Sequence, residues 1–126
     1  MTKLSIPTHR RPVTPGEILL EEFLKPLGVT QTAFAERIGV TYPRLNEIAN
    51  GKRGVTPDTA LRFARALGTT AELWLNLQQV VDLYDALHGK GARDIERIKP
   101  LKGVLVRTAA AAPAHPARKS VRRKAA

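Results

Sequence analysis

Residues 30–52 read TQTAFAERIGVTYPRLNEIANGK, and the intervals within them decide the fold. Thr30 and Thr41 each stand ahead of an apolar pattern of helical period and offer a hydroxyl cap, while Gly39 supplies a stop between them. Only Gly39, Val40 and Thr41 separate a helix ending at Ile38 from one starting at Tyr42, so the two helices must cross steeply. Ala35 falls where the backbones approach, and a larger side chain there would force the helices apart. Gly39 takes the left-handed turn position, where a Cβ costs about 1 kcal/mol or more. Leu45 anchors the second helix of the pair in the core. These are the intervals of a helix-turn-helix, in which the second helix projects a polar face.

With Leu45 and Ile48 turned inward, that face presents Thr41, Tyr42, Pro43 and Arg44 and, one turn on, Asn46, Glu47 and Asn50. The amino-terminal end of such a helix enters the major groove of DNA, where arginine grips guanine O6 and N7 and asparagine pairs with adenine N6 and N7. Gln31 opens the preceding helix and is placed to hold a phosphate together with that helix's free N–H groups. Lys52 and Arg53, in the loop that follows, are expected phosphate contacts. Many small helical proteins contain two helices and a short turn. Caps, turn, core spacing and the basic loop NGKRG coincide here, which favours the DNA-reading interpretation.

Working outward, Thr-led starts recur at Thr14 (the capping box TPGE), Thr56 (TPDT) and Thr69 (TTAE, paired with Glu72), and Gly28, Gly51, Gly54, Gly68 and Gly89 mark the stops, Pro26 with the first. The expected core faces are Ile18, Leu19 and Phe23; Phe34, Ala35 and Ile38; Leu45 and Ile48; Ala60, Leu61, Ala64 and Leu67; and Leu73, Leu77, Val80, Val81 and Tyr84. The fold class is therefore all-α: a compact five-helix bundle carrying the helix-turn-helix, with a disordered basic C-terminal tail. Residues 1–13 read as an arm, 14–98 as the DNA-binding domain with a C-terminal dimerisation helix, and 99–126 as the tail. Residues 94–106, DIERIKPLKGVLV, suit a short sixth helix or a small edge strand in GVLV.

The formal charge of +10 is concentrated in the tail, where eight basic residues meet no acid and leave only +2 for residues 1–98. Alanine, proline and basic residues without an aromatic cannot bury enough apolar area to offset chain entropy. RKSVRRK lacks large apolar neighbours, which favours phosphates over a membrane surface as its partner. No signal peptide or membrane span is readable, so a cytoplasmic protein is expected. With no cysteine, and with His9, His88 and His115 scattered, neither a metal site nor a cofactor is expected. Adjacent Glu21 and Glu22 lie on different parts of a helix surface, and no nucleophilic or paired-acid pattern points to an enzyme.

Trp74 reads as core beside Leu73 and Leu77, with a partner anchor as the alternative. The last long helix is apolar along both Leu77, Val81 and Tyr84 and Leu73, Val80 and Leu87. That is wider than one core stripe needs, and a two-fold dimer contact through Leu77, Val81 and Tyr84 would use the excess.

The segments PGEILLEEFLKPLGVTQTAFAERIGV, LNEIANGKRGVTPDTALR and TAELWLNLQ, within residues 13–88, resemble the HigA-type (VapI-type) antitoxins of the Cro/repressor-like (XRE) helix-turn-helix class. The resemblance implies a homodimer on a palindromic double-stranded operator at its own promoter, and a small RelE-like (HigB-like) mRNA-cleaving toxin as partner. It also implies that Gln31, Thr41, Tyr42, Arg44 and Asn46 touch DNA and that Asn50 binds a phosphate. Tyr42 and Pro43 depart from the usual reading end, and the long tail departs from the compact family pattern. A stand-alone transcriptional regulator, or a helical scaffold whose tail binds RNA, would fit the same composition.

Overall fold

The computed structural model describes residues 10–103. The expected disorder of the tail beyond Gly103 and most of the arm, with GVLV apart from its glycine, lie outside the described residues. The described residues are helical without a strand. Helix α1 (residues 15–27) is α-helical over Pro15–Ile18 and Lys25–Leu27 and a π-helix over Leu19–Leu24. It is followed by α2 (Gln31–Ile38), α3 (Tyr42–Ala49), α4 (Pro57–Leu67), α5 (Ala71–Leu87) and the short α6 (Ala92–Glu96), a sixth helix that starts earlier than expected and takes in only the first three residues of the ambiguous segment. One compact unit runs through Ala92 and a second begins at Arg93, ahead of the boundary expected at residue 98. In the second, Arg97 pairs with Asp94 at 3.2 Å across one helical turn.

Hydroxyl caps set the helix starts. Thr14, Thr30, Thr41, Thr56 and Thr70 are extended residues whose side chains accept the N–H three positions on, and Glu17 completes a capping box by accepting from Thr14 N at 3.0 Å. The cap of α5 is Thr70, one residue beyond the Thr69 expected; Thr69 Oγ1 instead accepts from Trp74 Nε1 at 2.7 Å. Pro26 does not end α1. The wider π turn stands immediately ahead of it, with Lys25 N–H bonded five residues back to Leu20, and eases the clash a proline ring makes with the carbonyl four residues earlier.

Aromatic rings run through the centre of the core. Phe34 packs on Phe63 (ring centroids 5.8 Å apart), Phe63 meets Trp74 edge-on at 5.1 Å, and Trp74 lies 5.6 Å from Phe23. Leu19, Leu24, Leu45 and Ile48 close around them. The face of α4 differs from the one expected: Phe63 is fully buried, whereas Leu61 is 63% exposed. On α5 it is Trp74 that points fully inward, with Leu73 38% exposed.

Three cross-links hold the elements around the turn. Gly16 lets α1 press its backbone against Ile48 and Ala49 at the end of α3. Arg62 reaches from α4 to the last carbonyl of α2, donating to Ile38 O at 2.7 Å. Gln78, on α5, accepts from Val55 N at 2.8 Å and so fixes the loop that follows α3.

The arm is fastened too, since Arg11 grips Asp85 with two parallel bonds of 2.9 Å. These bonds hold the Asp85 carboxyl below the ordinary carboxylate range and push the Arg11 guanidinium up. A depressed carboxylate contributes its stabilisation above its unfolded value of about 3.9 and loses it as pH falls through the lower folded value. The Arg11 Nε–H signal in NMR is therefore expected to hold its bonded position from pH 7 to about pH 4 and to revert only below that. Reversion already complete at pH 5 would contradict the clamp. Both side chains are nearly half exposed, so Asp85→Asn should cost under about 1 kcal/mol.

Candidate nucleic-acid interface

The helix-turn-helix is formed as its intervals require. Thr30 Oγ1 accepts from Ala33 N at 3.0 Å, and Gly39 ends α2 at φ 78°, with Gly39 N and Val40 N both donating to Ala35 O. Thr41 then caps α3 by accepting from Arg44 N at 3.3 Å. Ala35, Leu45 and Ile48 are buried beneath the turn.

Four of the residues singled out from sequence come together on the outer side of this pair. Asn46 Nδ2 donates to Gln31 Oε1 at 3.0 Å and to the Tyr42 hydroxyl at 3.3 Å, and Asn50 Nδ2 donates to Asn46 Oδ1 at 3.1 Å. The network joins the first residue of α2 to the first, fifth and capping residues of α3. Tyr42, 45% exposed, leads it into solvent beside exposed Thr41 and Pro43.

Arg44 does not share this face. Two residues along a helix is a rotation of about 200°, so Arg44 and Asn46 cannot point the same way. The Arg44 guanidinium turns to α4, donating to the buried Thr59 Oγ1 at 2.8 Å and to Asp58 Oδ2 at 3.4 Å. Asp58 also receives Arg62 Nε at 2.9 Å, and that bond first, then Arg44, draws its carboxyl below the ordinary range. Arg44, expected from sequence to grip guanine, rests in this structure as a brace between α3 and α4.

The loop after α3 carries Lys52 and Arg53, both exposed. Arg53 Nε donates to Glu47 Oε1 at 2.8 Å, which offsets one of the two charges, whereas Lys52 makes no side-chain bond to a described residue. A cleft of about 400 Å³ separates this loop from the arm and α5, with Arg11, Lys52, Arg53 and Gln78 among its lining residues. Sequence reasoning missed Gln78 and Arg62, whose partners lie 23 and 24 residues away and leave no local signal.

Of the three residues expected at a dimer contact, Leu77, Val81 and Tyr84, two face the core of the single chain. Val81 is 1% exposed within the single chain and Leu77 packs against the core, because both lie on the side of α5 that faces α4 and α1. Leu73, Leu83 and Leu87 are exposed, and Val80 and Tyr84 are half-buried along the same side.

Residues 20–74 match the helix-turn-helix family model. Antitoxin HigA-1 of Vibrio cholerae is 44% identical over 95 residues, which span 75% of this chain and 88% of the relative. The chain belongs to the HigA-type antitoxins of the XRE helix-turn-helix family. Two solved HigA-type structures agree in fold: antitoxin GraA (43% identical, TM-score 0.68, covering 73% of this chain and 99% of that one) and the Pseudomonas aeruginosa antitoxin HigA with the higBA promoter (37%, TM-score 0.68, covering 72% and 99%). HigA-type proteins are DNA-binding regulators, not enzymes. No helix among the described residues is long and apolar enough to cross a membrane.

Proposed function

We propose that this protein is an antitoxin that represses its own operon: a homodimer holds a palindromic operator, and the same chain binds and silences a small RelE-like, mRNA-cleaving toxin in the cytoplasm. The observation that carries the reading is the polar network of half-buried Gln31 and Asn46 with exposed Tyr42 and Asn50 on a helix-turn-helix of the HigA type. Tyr42, Thr41 and Pro43 face the major groove, and Gln31, Asn50, Lys52 and Arg53 face phosphates on either side.

The two-fold partner is a second copy meeting the outer apolar side of α5. Leu73, Val80 and Leu87 recur every seven residues, and Leu83 and Tyr84 broaden the stripe. A symmetric pair of heads requires half-sites about 34 Å apart, one turn of DNA. The eight-charge tail adds sequence-independent affinity for the backbone.

Binding to the DNA upstream of its own gene, measured against a scrambled duplex over a salt series, tests repression; nuclease-treated affinity capture tests the toxin. Tight selective binding and a stoichiometric small basic partner are expected, and removing residues 99–126 should weaken both duplexes about equally and flatten the salt slope by several units. Selective binding with no partner from well-expressing cells would leave a stand-alone repressor.

A further inference from the structure

Asn46 occupies the centre of the reading face, yet its NH2 has no hydrogen left to read a base. Both hydrogens of its NH2 group are taken, one by Gln31 Oε1 at 3.0 Å and one by the Tyr42 hydroxyl oxygen at 3.3 Å, and its carbonyl accepts from Asn50 at 3.1 Å. Turning this amide alone would set its oxygen against Gln31 Oε1, two acceptors face to face, and its NH2 against that of Asn50, so the three amides turn only together and Asn46, at the centre, couples their orientations.

The consequence falls on the neighbours. Gln31 has its oxygen turned in towards Asn46, so the group it turns out is the NH2, a pair of donors. The Tyr42 hydroxyl, whose oxygen receives the Asn46 hydrogen, is left with its own hydrogen to give. Neither outward group donates to another described residue. We infer that Asn46 is a positioning residue that sets the polarity of the reading head: it makes Gln31 and Tyr42 into donors, so the head searches for acceptors, a phosphate oxygen at Gln31 and a major-groove purine N7, guanine O6 or thymine O4 at Tyr42. The inference rests on the DNA-reading assignment proposed above, and it replaces the adenine pairing that the sequence suggested for Asn46. Adenine recognition by asparagine needs the carbonyl to accept from N6 while the NH2 donates to N7. In this network the NH2 has no hydrogen left for N7.

Base analogues separate the two assignments. The full-length protein is titrated with its upstream operator duplex, with single adenines replaced by purine lacking the 6-amino group and single purines by their 7-deaza forms. The donor head predicts loss of binding, about tenfold, at a purine whose N7 faces Tyr42 or, if that base is thymine, at its replacement by uracil lacking O4; removal of a 6-amino group should have little effect at any position. Asn46→Ala should lower operator affinity about tenfold while shifting the unfolding midpoint little, because Asn46 is only half-buried and the helix propensity of alanine offsets the bonds lost. In that background Tyr42→Phe should add little, since an unpositioned hydroxyl discriminates poorly. A merely structural Asn46 would move the midpoint and leave the base preferences alone.

Two results would overturn the inference: sensitivity to the missing 6-amino group in the wild type that disappears in Asn46→Ala, or fully additive losses from Asn46→Ala and Tyr42→Phe. Wild-type protein that holds the operator no better than a scrambled duplex would instead remove the underlying DNA-reading assignment, and the inference with it.

Discussion

Gly16→Ala is expected to destabilise the protein by about 3 kcal/mol, a loss of roughly 10–25 °C in thermal midpoint for a unit of this size. The sign is the reverse of the usual one, because alanine in place of a helical glycine ordinarily gains up to about 1 kcal/mol. Gly16 is buried in the first turn of α1, and a Cβ there would overlap the Ile48 carbonyl oxygen and lie 2.8 Å from Ala49 Cα. Both obstacles are backbone, and neither can rotate away. The Ile48 carbonyl also accepts from Gly51 N at 3.1 Å, so displacing it would loosen the end of α3 from which the loop to Lys52 departs. Operator affinity should fall along with stability. Gly28→Ala serves as the control: at φ 69° with open space around it, it should show only the left-handed strain of about 1 kcal/mol. A midpoint for Gly16→Ala at or above wild type would contradict the backbone contact between α1 and the end of α3.

Trp74→Ala should cost about 4 kcal/mol, and Trp74→Phe about half of that. The indole is fully buried between Phe23 and Phe63 and donates its N–H to Thr69 Oγ1. Alanine removes the ring contacts and leaves a cavity; phenylalanine keeps most of the ring and strands the Thr69 hydroxyl. As the single tryptophan of the chain, Trp74 also reports on its own burial, with blue-shifted emission that moves to the red on unfolding. Chemical denaturation of the two variants, followed by far-UV circular dichroism, measures the difference. If Trp74→Ala lost less than about 2 kcal/mol, the partner-anchor alternative for this residue would regain ground.

What was legible in the sequence was local. Caps, left-handed stops and the three-residue turn depend on residues within one turn of each other, so Thr14, Thr30, Thr41, Thr56, Gly28, Gly39 and Gly68 could be placed from spacing alone. The face of α4 was misjudged because Leu61 fits an apolar period almost as well as Phe63, and only the ring stack with Phe34 and Trp74 decides between them. Val81 fits both the core face and the dimer stripe read from spacing, and it is buried; Arg44, placed from spacing at the reading end, rests against Asp58 and Thr59 of α4, fourteen and fifteen residues away. Spacing put Gln31, Tyr42, Asn46 and Asn50 on one outer face, but which atom of each amide points outward is set by bonds that reach across as many as fifteen residues.

The bond from Val55 N–H to Gln78 has a thermodynamic corollary. Loop 52–55 is anchored to a side chain of α5, the helix whose far side is left apolar. If a molecule seated on that helix resets α5, the loop moves with it, and linkage then requires a nucleic acid held by that loop to change the molecule's affinity by the same factor.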